Sequence, residues 1–196
     1  MKFKLSDYIA RSMQARLSFL LGKKRYLHSA GVACTAAYLA KKYGASVKKA
    51  VIAGYLHDCA KGLSKRGMKN SIKKYGIKMD ETTKNIPGLW HSIIAAYMAR
   101  DIFGIKDAEI LEAIRFHSTG REKMSNLEKI IYISDYVETG RKYKSSRRTG
   151  KLIKDKKISL NEFVFKVLKE KLIYLINSSM IIHPDSIRLF NYLLSC

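Results

Sequence analysis

Apolar residues recur three and four positions apart in segment after segment of this chain, and glycines at 22, 44, 62 and 104 stand where four of those stripes run out. That period is one face of an α-helix, and glycine is the residue best able to end a helix in a left-handed turn. Only two prolines occur in 196 residues, so few points force a break. The pattern predicts an all-α fold, a single-domain helical bundle. A hydrophobic fraction of 47% suffices for one sizeable core, and 196 residues are few for two. One domain is therefore expected over residues 1–196, with its core in 22–142 and C-terminal helices in 159–194 packed on it.

Ser6 is placed to cap a first helix that carries Ile9, Met13, Leu17 and Leu20 on one face and stops at Gly22. A second helix, from about Lys24 to Gly44, sets His28 on one face with Val32, Thr35, Ala36 and Leu39, and its small residues Ala30, Gly31, Ala33, Ala36 and Ala37 permit a close neighbour. From Ser46 to about Ala60 an apolar run delivers His57 and Asp58 side by side before Gly62. Residues 61–78 hold seven basic residues and no acid, the pattern of a solvated helical face, and 79–90 read as a loop. His91 opens the next helix, His117 closes the one after it, and the helix following Ser125 carries Asp135 on the side of Leu127, Ile131 and Ser134.

Residues 141–157, with nine basic residues and one acid, read as a mobile loop or rim able to order on an anion. Ser159 to Glu162 is a capping-box pattern opening a long helix, and Pro184 sits in the first turn of the last one. His183, just before it, reads as a surface or capping residue.

The formal net charge of +22 makes a field that attracts polyanions, whether nucleotides, nucleic acid or an acidic membrane surface, without choosing among them. Three cysteines, Cys34, Cys59 and Cys196, have no CxxC spacing, which argues against a disulfide framework or a structural zinc site and fits a reducing cytoplasm. No apolar run approaches the roughly 18 residues that span a bilayer.

A single inward histidine is usually a satisfied core residue, whereas a carboxylate such as Asp135 on an apolar face needs a partner cation. Here four of the five histidines and two carboxylates fall at inward or end positions of successive helices, in the order His28, His57 with Asp58, His91, His117, Asp135. This order resembles the H…HD…H…H…D pattern of the HD-domain metal-dependent phosphohydrolases. The segments HDCAKG, HSTG and IIYISDYVETGR are similar to the YqeK family within them, the bacterial symmetrical diadenosine tetraphosphate hydrolases. The likeness runs over about residues 5 to 190.

The resemblance implies a single HD phosphohydrolase domain in which His28, His57, Asp58 and Asp135 ligate a main metal ion. It implies that His91 and His117 hold a second ion or the substrate phosphate, with Asp58 bridging. Such a mixed imidazole and carboxylate set, free of thiolate, suits iron, manganese, nickel or zinc, and the family points first to iron. A metal-activated water, its pKa lowered towards ~7, would attack a central phosphorus of the tetraphosphate and release two ADP. Asp58, Lys61, His91 and His117 are the expected catalytic set. Lys61 stands one helical turn beyond the His57 and Asp58 pair, where it can meet substrate phosphate or a ligand carboxylate. With Arg141 it is the expected clamp on the remaining phosphates, and Arg25, Arg121, Ser118 and Thr119 are weaker candidates. Ser134 and the Thr139–Gly140 pair depart from the alanine and proline-glycine expected in close relatives, without touching a ligand. Two other readings stand beside this one: an HD phosphohydrolase for a nucleoside monophosphate, cyclic dinucleotide or alarmone, and a noncatalytic basic nucleic-acid-binding protein with a structural metal. The partners expected are an anionic nucleotide substrate, no membrane, nucleic acid allowed by the charge but not favoured, and a homodimer permitted.

Overall fold

The computed structural model describes residues 7–141 and 143–195, with side chains from residue 12 onward. The Ser6 cap and the Ile9 side chain lie outside the described residues. Ten α-helices follow in order: α1 Asp7–Lys42, α2 Val47–Leu56, α3 Lys65–Lys74, α4 Glu81–Lys84, α5 Trp90–Phe103, α6 Ala108–Phe116, α7 Asn126–Val137, α8 Lys144–Gly150, α9 Leu160–Asn177 and α10 Pro184–Leu194. Among the described residues there is no strand, so the all-α expectation holds. Among the described residues no helix is long and apolar enough to cross a membrane.

Helix α1 is two helices joined at a kink, because Gly22 takes φ 68° and ψ 163°, a conformation essentially closed to residues with a Cβ. The predicted stop at Gly22 is thus a sharp bend without a loop. Met13 and Leu17 are buried before it, and Val32, Ala36 and Leu39 after it. Close packing then fixes α2. A Cβ on Gly54 would lie 2.6 Å from Ala33 Cα, and one on Gly62 would lie 1.9 Å from the Leu20 carbonyl oxygen.

Helix α7 is the central strut. Ser125 and Glu128 form a capping box at its start, and Leu127, Ile130, Ile131 and Ile133 are buried along it. Each such side chain contributes on the order of 2 kcal/mol when removed from water. Phe163, Val164, Val167 and Leu168 of α9 are buried in the same core.

Three local expectations are corrected. The helix read to about Ala60 ends at Leu56, with His57 as its C-cap; Asp58 leaves helical geometry at φ −108°, ψ 13°, and Cys59–Gly62 form a tighter 3-10 turn that lays Gly62 against Leu20. Residues 79–90 are not a plain loop: Asp80 caps the short α4, and Pro87–Leu89 form a 3-10 turn. Residues 141–157 contain α8 and a 3-10 turn at Lys151–Lys154 in place of a mobile loop. Ser146 and Thr149 are buried, Tyr136 donates its hydroxyl to Ser145 Oγ at 3.0 Å, and Arg148 pairs with Glu170 of α9. A small polar face seats the segment while the basic residues point outward. By contrast α3 buries no residue, as expected of a solvated basic face.

His183 caps α10 and is buried rather than on the surface, its Nδ1 accepting from the Asp185 amide at 3.2 Å. That leaves Nε2–H to donate to Thr83 Oγ1 at 2.9 Å, and Thr83 donates in turn to Asp80 at 2.6 Å, tying α10 to α4.

Candidate metal centre

The chain's turns and helix ends bring all six predicted ligands into one cluster. His28 comes from the second half of α1, His57 from the C-cap of α2, Asp58 from the residue after it, His91 from the first turn of α5, His117 from the C-cap of α6 and Asp135 from the last turn of α7. Asp58 is the centre. Its Oδ2 lies 3.4 Å from His57 Nε2 and 3.8 Å from His28 Nε2, and its Oδ1 lies 3.3 Å from His91 Nε2 and 3.4 Å from His117 Nε2. Asp135 Oδ1 stands 3.1 Å from His28 Nε2 and 3.6 Å from His57 Nε2. Leaving helical geometry at Asp58 is what allows one carboxylate to face both histidine pairs, because adjacent residues in a continued helix would splay about 100° apart.

The four imidazoles share one arrangement. His57 Nδ1 lies 2.7 Å from the Gly54 carbonyl, His91 Nδ1 2.6 Å from that of Gly88, and His117 Nδ1 2.7 Å from that of Ile114. Each carbonyl is three residues back along the chain. A carbonyl can only accept, so Nδ1 carries a proton in all three rings and Nε2 is the nitrogen that faces the cluster. For His28 the Glu138 carboxylate takes the carbonyl's place, with Oε1 3.1 Å from Nδ1. Fixing the far nitrogen in this way is how proteins aim a metal-binding histidine.

The polar atoms crowd together without satisfying one another. His57 Nε2 and Asp58 Oδ1 are buried and make no hydrogen bond, although polar groups of the other candidate ligands stand within 3.6 Å. Buried polar atoms are rarely left so, and ligands sharing one ion at about 2.1 Å stand about 3–4 Å apart, the spacing found here. Burial alone would lower the His57 pKa, but the Asp58 and Asp135 carboxylates outweigh it and hold the pKa up at about 10. Burial would likewise raise Asp58, yet His57 and the neighbouring histidines keep it well below the usual carboxylate range. His117, buried and next to His57 and His91, is pushed down to about 4, so its ring is neutral. The field of this cluster calls for a cation, and its donor set suits a divalent metal in two groups sharing Asp58: His28, His57 and Asp58, and Asp58, His91 and His117. Cys59 contributes nothing soft to the set: burial and the Asp58 charge raise its thiol pKa, and Sγ points to the Ala95 carbonyl at 3.6 Å.

The predicted phosphate contacts divide into two groups. Lys61 Nζ lies 2.9 Å from Asp58 Oδ2, and the Arg141 guanidinium reaches Asp135 Oδ1 at 2.5 Å and the Asp135 carbonyl at 2.9 Å. Both side chains remain about a third exposed, so each borders the cluster with part of its charge facing outward. Ser118 Oγ lies 3.1 Å from His117 Nε2 and 3.4 Å from His91 Nε2. Thr119 is half-buried, and its carbonyl accepts from Ser186 of α10. Arg25 is exposed on α1, one turn before His28, with no bond to the six ligand candidates. Arg121 shares its guanidinium between Glu128 at 2.7 Å and Glu112 at 2.8 Å, which joins α6 to α7.

Two residues of the site escaped the sequence reading. Glu138, buried one turn beyond Asp135, positions His28 and accepts from the Gly140 amide at 2.6 Å. Lys171, on α9, places Nζ 3.4 Å from the Ser118 carbonyl. Spacing along α7 gives a faint signal for the first, while nothing in sequence foretells the second. A cleft of about 440 Å³ opens beside the cluster between the end of α7 and α8, lined among others by Val137, Thr139, Arg141, Arg147, Gly150 and Lys151.

A family model described as HD domain matches residues 25–140. The chain is 36% identical to a Bacillus subtilis protein named symmetrical bis(5'-nucleosyl)-tetraphosphatase, with 89% of this chain and 92% of that one covered. It is 38% identical to a Halalkalibacterium halodurans protein of the same name, covering 89% and 91%. Its structure superposes with TM-score 0.88 and 35% identity on the crystal structure of a protein from Clostridium acetobutylicum, described as a predicted HD superfamily hydrolase involved in NAD metabolism, covering 95% of this chain and 97% of that one.

Proposed function

This chain belongs to the HD domain family, and from that premise we propose that it hydrolyses bis(5'-nucleosyl) tetraphosphates symmetrically, converting diadenosine tetraphosphate and water into two ADP. The observation that carries the metal-dependent part is Asp58, whose two oxygens face two separate histidine groups. His28, His57, Asp58 and Asp135 would hold the main ion, and Asp58, His91 and His117 a second ion or a substrate phosphate. Iron is the ion we propose, a choice supported by a hard and borderline donor set without thiolate. When bound, such an ion supplies Lewis-acid neutralisation of phosphoryl oxygens and an acidified water.

The chain's own residues do the rest. Lys61 and Arg141 meet the phosphates beside Asp58 and Asp135 and offset charge that builds on the equatorial oxygens during in-line displacement. His91 and His117 orient the phosphorus at the other end of Asp58, with Ser118 Oγ beside them. Attack at a central phosphorus adds the water oxygen to one half and breaks one bridging P–O bond. The departing ADP needs no proton from the protein, since its terminal phosphate has a second pKa near ~6. The basic cleft beside Arg141 offers room for a nucleoside flank of the substrate. A cytoplasmic site of action agrees with free cysteines, Cys34 exposed and Cys59 buried, and self-association would use apolar residues exposed on α9 such as Ile173 and Ile176.

The test is elemental analysis of the purified protein followed by chromatography of its reaction with diadenosine tetraphosphate. ADP as the sole product is expected, whereas AMP plus ATP would sink symmetrical cleavage. Salt-sensitive RNA binding that survives Asp58→Ala, with no turnover in the parent, would favour a noncatalytic binder instead.

A further inference from the structure

We propose that Lys171 of α9 is a third cationic contact for the substrate's polyphosphate chain, supplied by a helix outside the residues that match the HD family model. This deepens the function proposed above and rests on it.

Lys171 is half-buried between the core residues Leu168 and Leu172, and among the described residues its Nζ has two partners. One is the face of the Tyr132 ring, 3.7 Å away, and the other is the Ser118 carbonyl at 3.4 Å. Among the described residues no carboxylate comes within ion-pair distance of it. That sets it apart from other cations in and around the site: Lys61, Arg121 and Arg141 each meet a carboxylate at 2.5–2.9 Å. A half-buried ammonium with one long hydrogen bond is costly unless an anion completes it, and a leucine or methionine would pack there at no such cost.

Position gives the anion its identity. Ser118, whose carbonyl Lys171 meets, carries the hydroxyl that lies beside both His91 and His117. The charges of Asp135, Arg141 and Lys61 all act on Lys171, so three cations border the same cluster. Mutual repulsion of three cations is relieved by a ligand bearing several negative charges, and a nucleoside polyphosphate is such a ligand. Arg141 and Lys61 then hold the chain at the Asp135 and Asp58 end, and Lys171 holds it at the His91 and His117 end. Lys171 is a positioning residue for phosphate oxygens and takes no proton.

The test compares the metal-loaded parent with Lys171→Met and Lys171→Arg. For Lys171→Met the KM for diadenosine tetraphosphate should rise about tenfold or more, the scale of one lost charge-assisted hydrogen bond, and Lys171→Arg should recover most of it. Calorimetry should show the same loss in affinity for ADP and for inorganic pyrophosphate. The melting temperature of Lys171→Met should stay level or rise, since an unpaired half-buried charge is gone. Unchanged KM and unchanged ADP and pyrophosphate affinities would overturn the assignment, as would weaker binding that tracks a fallen melting temperature and is not rescued by arginine. If the parent does not cleave the tetraphosphate, the function proposed above falls. The ADP and pyrophosphate titrations still decide whether Lys171 binds phosphate.

Discussion

Glu138 Oε1 stands 3.1 Å from His28 Nδ1, across 110 residues of chain, and does for that ring what a backbone carbonyl does for His57, His91 and His117. Replacing it with glutamine keeps the shape but removes the charge that makes the ring a stronger donor. Glu138→Gln should weaken metal binding about 10- to 100-fold, measured by competition with a chelator of known affinity.

Gly31 offers a second route to the same outcome. A Cβ there would lie 2.6 Å from Glu138 Oε2, so Gly31→Ala pushes the carboxylate off His28. Alanine is better than glycine inside a helix by about 1 kcal/mol. The variant should therefore lose metal affinity without losing helix stability, a split visible by comparing chelator competition with urea unfolding of the metal-free protein.

Asp58→Ala removes the carboxylate common to both ligand groups. Metal content should fall to background and turnover with it, while far-UV circular dichroism keeps its helical form. Stripping metal from the parent should lower its melting temperature, because an ion present at 1,000 times its Kd stabilises the fold by about 4 kcal/mol. Turnover by an Asp58→Ala protein with no bound metal would refute the ligand assignment.

The pH dependence has a defined sign at Lys171. Burial lowers its pKa from the ordinary 10.5 to about 8, with Arg141 and Lys61 pushing the same way, Asp135 opposing and the Tyr132 ring beneath. Between those two values the unfolded chain binds more protons than the folded one, so the unliganded protein gains stability as pH rises from about 8 to about 10.5. Phosphate binding runs the other way, since the neutral amine offers no charge. KM should rise about tenfold from pH 7 to pH 9 in the parent, a rise absent from Lys171→Met. A parallel rise in both would assign the effect to another group.

Gly62→Ala should be the most damaging conservative change near the site. Its Cβ would meet the Leu20 carbonyl at 1.9 Å, backbone against new atom, with no flexible side chain to yield. A loss of about 3 kcal/mol is expected in denaturant unfolding, together with displacement of the turn that carries Asp58 and Lys61.

Most of the cluster was legible because its members break a local rule: His28 and Asp135 are polar on otherwise apolar helical faces, and His57, Asp58 and His117 sit where helices end. The bend at Gly22 and the end of α5 at Gly104, with φ 68° and 67°, were legible for the same local reason. What sequence could not yield depends on packing between distant segments. The basic residues of 141–157 hid the buried Ser146 and Thr149 that seat α8, and the pairing of Arg121 needs α6 and α7 to bring Glu112 and Glu128 to it. Lys171 is invisible in sequence, one lysine among many, until α9 lays it over Tyr132.

The three carbonyls that hold His57, His91 and His117 belong to the same short stretches of chain as the rings they aim. Each of these candidate ligands thus carries its own bearing within a single turn of chain. Only His28 takes its bearing from a far part of the chain, so the aim of that one ring depends on α1 meeting the end of α7.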